Sequence, residues 1–253
     1  MELQDNLKQF KKNAIQPCAI SYDPVNVLKS FAEKHRVTYP LLADTDSAVI
    51  RQFDIFNTLV PKGHRWYGVP FPGTFMVDEQ GIVTDKSFYA SHGVRDSVGR
   101  MLQEKFHITP EGCPTQTLET DDLKATASLT SGTVRRGQIQ TFILNIEMKP
   151  GRHIYGPHLS GGYIPTTLTF QNIEDVRFGE TVYPEPEPLT LKALNETLPV
   201  YEGCITLKAT FLNRSRDNIT VRARLDYQAC DDRECYMPVQ LDFELPIVYM
   251  DNA

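Results

Sequence analysis

Cys230 and Cys235 stand with four residues between them in LDYQACDDRECYMPVQLDF, Leu225 to Phe243. Apolar residues alternate on both sides of the pair, so it sits where the tip of a β-hairpin is expected. Three kinds of chemistry fit two such thiols: a structural clip, half of a metal site, or a disulfide that exchanges electrons. If the two face each other across a four-residue loop, their α-carbons come within about 4.5–5.5 Å, which a disulfide accepts. Closing so short a loop stabilises by roughly 2 kcal/mol in the chain-entropy description, a modest reason for a bond. His153 and His158 also have four residues between them and would have to complete a Cys₂His₂ zinc site. They lie in a stretch rich in proline and glycine, far from the cysteines, and read more simply as solvated loop residues. Cys18, Cys113 and Cys204 belong to no partner motif, and Cys18 reads as a small core residue of a buried strand.

The immediate neighbours of the pair carry charge. Asp231, Asp232 and Glu234 crowd the intervening loop, opposed only by Arg233, and like charges raise the pKa of a nearby thiol. Phase is a further constraint. Cys230 falls on the polar side of its strand, whereas Val239, Leu241 and Phe243 require the opposite phase, which a bulge near Met237-Pro238 would repair.

The elements that must hold the pair are strands with one buried face. Apolar residues alternate in Phe142-Leu144-Ile146-Met148, Ile205-Leu207-Ala209-Phe211, Val221-Ala223-Leu225-Tyr227 and Val239-Leu241-Phe243-Leu245-Ile247. Period two over several such runs predicts an all-β sandwich. The prolines of VYPEPEP, Val182 to Pro188, exclude a central strand there and predict an exposed loop or edge.

The first part of the chain has a different texture. Leu3-Leu7-Phe10, Val27-Leu28-Phe31-Ala32, Val49-Ile50-Phe53 and Val94-Val98-Met101-Leu102 recur at helical spacing. Between them lie short β-like runs at Cys18–Tyr22 and Thr74–Val77, the latter paired with Ile82-Val83 across the turn Asp78–Gly81. This order predicts an α/β domain over residues 1–110, a linker over 111–122 and the β-sandwich over 123–253.

Composition narrows the function classes. The 253 residues are 41% hydrophobic and 23% charged, enough for two cores. A net charge of −6 and a pI near 5.5 lack the basic face that nucleic acid or an anionic membrane requires. No apolar run approaches a membrane span, and MELQDNLKQFKKN has no signal-peptide character, so the text leaves the compartment open. Nothing in it calls for a cofactor.

YQACDDRECYMP, with PGRHIYGP upstream and LDFELPI at the close, resembles the N-terminal, immunoglobulin-like domain of the thiol:disulfide interchange protein DsbD, over about residues 120 to 250. The resemblance implies that Cys230 and Cys235 are a redox-active pair serving thioredoxin-like partners, in a periplasmic or exported protein. It places His153 and Tyr155 at aromatic positions near the disulfide, with His153 replacing the usual tyrosine, and makes Tyr183 the counterpart of a shielding cap.

AISYDPVNVLKSFAEKHRVTYPLLADTDSAVIRQF and PFPGTFMVDEQGIV resemble the redoxin group, the AhpC/TSA or peroxiredoxin-like branch of the thioredoxin superfamily, over residues 2 to about 106. That likeness makes Pro72 the proline, typically cis, that lines a thioredoxin-fold active site. It also implies that the family's catalytic cysteine falls ahead of Glu2, so the domain is expected to be N-terminally incomplete and inactive as a peroxidase. The combined expectation is a thiol–disulfide oxidoreductase acting through Cys230 and Cys235. The different-class alternative is a non-catalytic interaction module with a structural disulfide.

Overall fold

A computed structural model describes residues 2–159, 161–191 and 196–251, the side chain of Leu191 excepted. The chain divides into two compact units between Val98 and Gly99.

The first unit is thioredoxin-like and mixes short helices with short strands. Helices α1 (Glu2–Asp5) and α2 (Leu7–Lys12) bury Leu7 and Phe10. Strand β1 (Ala19–Ser21), helix α3 (Val25–His35) and strand β2 (Leu41–Ala43) form a βαβ unit, with β1 and β2 parallel. Arg36 ends α3 in the left-handed conformation, φ 52°, as a helix C-cap commonly does. Helix α4 (Ala48–Gln52) begins where both carboxylate oxygens of Asp44 accept backbone N–H groups, from Val49 at 3.1 Å and Ile50 at 2.8 Å. Strands β3 (Gly73–Val77) and β4 (Val83–Phe88) make the expected hairpin; Asp78 closes its turn, accepting from Gln80 and Ile82. A two-residue strand, β5 (Arg95–Asp96), completes the unit. Cys18 is a correction: it precedes a three-residue strand paired with β2, and its side chain is exposed rather than in the core.

Helix α5 (Val98–Phe106) falls at the division. The second unit continues with β6 (Thr115–Glu119), inside the stretch expected as linker, then β7 (Leu123–Leu129), β8 (Thr133–Val134), β9 (Gln138–Met148), β10 (His153–Tyr155), β11 (Thr167–Phe170), β12 (Val176–Val182), β13 (Glu187–Leu191), β14 (Glu196–Glu202), β15 (Cys204–Asn213), β16 (Ile219–Tyr227), β17 (Ala229–Cys230) and β18 (Val239–Tyr249). One sheet runs β12-β15-β9-β7-β6 and a second runs β11-β16-β18-β8. Their inner faces meet in one core, where Leu123, Phe142, Leu144, Leu207, Phe211, Val221, Leu225, Phe243 and Leu245 interlock. The alternating runs supply these residues because successive strand side chains point to opposite faces. This is an immunoglobulin-like β-rich domain.

A third, smaller sheet runs β13-β14-β10-β17. Its edge strand β13 carries Pro188, and Tyr183 to Pro186 lie outside any strand, as the prolines require. Ile154, Tyr201 and Ala229 on one face join the main core. The opposite face gathers Tyr155, Leu198, Val200 and Cys230.

Candidate functional site

The hairpin that carries the cysteines does not stay in one sheet. Strands β16 and β18 pair from Ile219↔Ile247 to Tyr227↔Val239; past Gln228 the chain leaves them and β17 pairs with β10 instead. The register also slips by one residue between Cys230↔Cys235 and Tyr227↔Val239, so that Tyr236–Pro238 lie opposite only Gln228 and Ala229; this is the irregularity expected near Met237-Pro238, and it repairs the phase. Cys230 turns into the face shared by Tyr155 and Val200 and is 1% exposed, whereas Cys235 on the return is exposed. The backbone pairs around them: the Tyr236 N–H donates to the Ala229 carbonyl at 2.8 Å and the Asp231 N–H to the Glu234 carbonyl at 2.9 Å. Cys230 and Cys235 are joined by a disulfide, with α-carbons 4.0 Å apart, closer than their spacing alone suggests.

Strand β10 places the next residues. Gly151, at φ +78°, makes the turn that enters it, a conformation in which any β-carbon is strained. From there side chains alternate: Ile154 enters the main core, while His153 and Tyr155 share the face of the disulfide. The Tyr155 hydroxyl lies 3.3 Å from the Cys230 sulfur and 3.2 Å from the Cys235 sulfur. Disulfide sulfurs have no proton, so the hydroxyl is the donor to both. Burial raises the Tyr155 pKa and keeps that proton in place. His153 sits directly across from Cys230 on one side and Glu202 on the other. It is 3% exposed and its Nε2 has no hydrogen-bond partner. Burial lowers its pKa, against the opposing pull of Glu202, Asp232 and Asp231, so the imidazole is neutral at pH 7. The expectation of a solvated loop histidine fails here because GRHIYG forms an inner strand.

The turn itself is pinned by groups that spacing did not single out. Asp231 accepts from the backbone N–H groups of Arg233 at 2.8 Å and Glu234 at 3.0 Å, and from the Tyr236 hydroxyl. Arg152 holds the same carboxylate at 2.8 Å and Asp122 at 3.1 Å, with its guanidinium carbon 4.2 Å from the Tyr236 ring centre. The Tyr236 hydroxyl first, then the backbone amides and Arg152, hold the Asp231 carboxyl far below the usual carboxylate range. One of the three acids near the cysteines is therefore committed to the loop's architecture. An aspartate opening a tight turn is a readable sign of its backbone bonds; nothing in the sequence points to Arg152.

The ring against Tyr155 is Tyr163, with centroids 5.2 Å apart, and Leu159 and Leu189 also pack at this face. Tyr183 packs against the main core instead, its hydroxyl accepting the Leu168 N–H at 2.9 Å. The segment after it still approaches the site: a β-carbon on Gly156 would lie 3.1 Å from Pro186. Pro72 belongs to the first unit, exposed just before β3; its peptide bond is trans where the family's is typically cis. Among the described residues no group of three or more His, Cys, Asp or Glu is placed to hold a metal ion, and no helix is long and apolar enough to cross a membrane.

Comparison with known proteins gives separate matches for two stretches of the sequence. Residues 1–86 match the AhpC/TSA family and residues 121–246 match "Thiol:disulfide interchange protein DsbD, N-terminal". Peroxiredoxin Bcp of Escherichia coli K12 is 32% identical over 81 residues, 32% of this chain and 51% of that protein. A Buchnera aphidicola relative of the same bcp name is 29% identical over 87 residues, 34% of this chain and 54% of the relative. The chain thus spans about half the length of the curated relatives it matches. Among solved structures, the N-terminal periplasmic domain of ScsB from Proteus mirabilis aligns over 54% of this chain and 52% of its own, at 14% identity and a TM-score of 0.39. The chain therefore resembles the AhpC/TSA family in its first part and the DsbD N-terminal family in its second.

Proposed function

We propose that the second unit is a thiol–disulfide exchange module in which Cys235 is the point of attack and Cys230 the buried partner. The two families support thiol–disulfide oxidoreductase chemistry in general terms. The observation that carries the finer reading is the asymmetry of the pair, with Cys230 buried beneath the sheet face and Cys235 open to solvent. A partner's thiolate attacks the Cys235 sulfur in line with the disulfide; the S–S bond breaks, a mixed disulfide forms on Cys235, and the electron pair leaves on Cys230. The Tyr155 hydroxyl, already directed at both sulfurs, stabilises the charge that develops there. Attack on Cys230 itself would require the face to open.

The partners proposed are thioredoxin-like redox proteins, met outside the reducing cytosol, and Tyr163 with the proline segment restricts approach. Cys18, exposed just before a three-residue strand, is proposed not to act as a peroxidase nucleophile. Trapping tests the assignment. Cys230→Ser, incubated with an oxidised thioredoxin-like protein, is expected to accumulate a covalent complex that reductant dissolves, and Cys235→Ser to give none. Equal trapping by both variants, or by neither, would favour the interaction module with a structural disulfide.

A further inference from the structure

The exchange step leaves a proton unaccounted for. When the reduced pair passes its electrons on, Cys235 first attacks the partner disulfide; Cys230 must then attack the Cys235 sulfur to release the partner as a thiolate. Only a thiolate can do so. Cys230 is 1% exposed, so hydroxide and buffer have poor access to its proton. A thiolate there is further disfavoured by burial and by the carboxylates of the adjoining turn.

We propose that His153 is the base that takes the Cys230 proton in this resolving step. The inference rests on the exchange reading above. Register places the two side chains on the same face of neighbouring antiparallel strands, where β-carbons stand about 4.5–5.5 Å apart. That separation suits contact between an imidazole and a thiol. The His153 Nε2 is buried without a hydrogen-bond partner, although such atoms are nearly always satisfied. An idle acceptor on the residue that faces Cys230 in register, a cysteine that is a donor only when reduced, is accounted for if its partner is the reduced state of Cys230.

The surroundings suit a base. Glu202 faces His153 from β14, Asp231 and Asp232 face it from the turn after β17, and Tyr155 lies on its own strand, ring centroids 6.3 Å apart. Arg152, the adjacent cation, is engaged by Asp122 and Asp231. The acids support an imidazolium once it forms, while burial keeps the resting ring neutral. Tyr155 cannot replace it, because its raised pKa makes it a donor throughout.

The balance is complete. His153 accepts H⁺ from the Cys230 thiol; the resulting thiolate forms the bond to the Cys235 sulfur. The bond from Cys235 to the partner breaks, and the partner leaves with the electron pair. Two cysteines are oxidised, one external disulfide is reduced, and His153 gives its proton to solvent.

A neutral aryl disulfide, 4,4′-dithiodipyridine, separates the steps. The free thiols of Cys18, Cys113 and Cys204 are alkylated first while the pair is oxidised; the pair is then reduced, and thiopyridone release is followed by stopped flow. The first equivalent reports attack by Cys235, the second resolution by Cys230. In the wild type the second phase is expected to be flat with pH around neutrality and to fall only at a pH below the ordinary histidine value of about 6.5, because burial lowers the His153 pKa. In His153→Phe it should be slower by about 10²-fold at pH 7 and climb tenfold per pH unit, as direct thiol ionisation demands. His153→Gln, polar but not basic, should behave as the phenylalanine variant does. A first phase that fails in the wild type would remove the exchange reading itself. A normal first phase followed by a wild-type second phase that climbs tenfold per unit, or by a variant that keeps the wild-type plateau, would overturn the role of His153 alone.

Discussion

At the scale of single residues, the site divides groups that touch sulfur from groups that hold the loop. Tyr155 touches sulfur. In the proposed exchange its hydroxyl stabilises negative charge on Cys230 as the disulfide breaks, and a hydrogen bond to a charged group contributes about 1.5–3 kcal/mol. Tyr155→Phe is therefore expected to slow mixed-disulfide formation by roughly 10- to 100-fold while leaving the unfolding midpoint of the oxidised protein nearly unchanged. Stopped-flow reaction of the oxidised protein with dithiothreitol measures it; an unchanged rate would take Tyr155 out of the chemistry. Asp231 holds the loop, and its behaviour with pH has a definite sign. Its folded pKa is depressed, so its contribution is complete above the unfolded value of about 3.9 and fades as pH falls toward the folded value. Asp231→Asn should be less stable than the wild type at pH 7, with the gap narrowing as pH drops below about 4. A difference constant from pH 7 to pH 2 would show that the carboxylate charge plays no part. The cysteine pair was legible because hairpin spacing alone constrains two α-carbons. The asymmetry between its members was not, because it depends on which sheet β17 joins. His153 was legible as a departure from a family tyrosine but not as a buried base, which needs a partner strand on each side.

At the scale of elements, strand periodicity was the strong signal and partner choice the weak one. The four alternating runs became β9, β15, β16 and β18 with their expected faces inward. The third sheet left little trace, because β10 and β17 are three and two residues long, too short for any period to show. Helix α5 was visible in its spacing; the tight approach of its second residue was not. A β-carbon on Gly99 would lie 1.7 Å from the Thr130 carbonyl oxygen, which is backbone and cannot swing aside. Gly99→Ala should consequently cost about 3 kcal/mol or more, at the upper end for overpacking, despite alanine's better helix propensity. Urea unfolding of the full chain, followed by a probe in the second unit, measures it. A stabilised variant would mean that α5 can slide at little cost.

At the scale of the whole molecule, the question is how a disulfide can be exchanged without costing the domain its fold. The main core draws on both large sheets and includes neither cysteine; Cys230 lies with Tyr155, Leu198 and Val200 on the far face of the third sheet. The bond closes a loop of six residues, which contributes about 2 kcal/mol in the chain-entropy description. Breaking it removes a small fraction of what a sandwich of this size gains by burying two apolar sheet faces. Reduction should lower stability by about 2 kcal/mol and leave the β-sheet circular dichroism unchanged at 25 °C. The mobility it introduces should stay local, because the ladders β16–β18 and β10–β14 do not depend on the bond. Hydrogen exchange would show this as faster exchange of the Asp231 and Tyr236 amides, whose partners lie across the turn, with the β9 and β15 amides still protected. Loss of protection throughout β9 and β15 on reduction would instead make the disulfide a structural staple. The alkylation pattern gives an independent check on the same reduced protein. Burial pushes the Cys113 thiol up to about 11, so Cys113 should label slowly, and Cys235 should label ahead of both Cys113 and Cys230. Cys230 reacting as fast as Cys235 would mean that the face over the buried sulfur opens on reduction, and the order of attack inferred from the oxidised structure would then have to be abandoned.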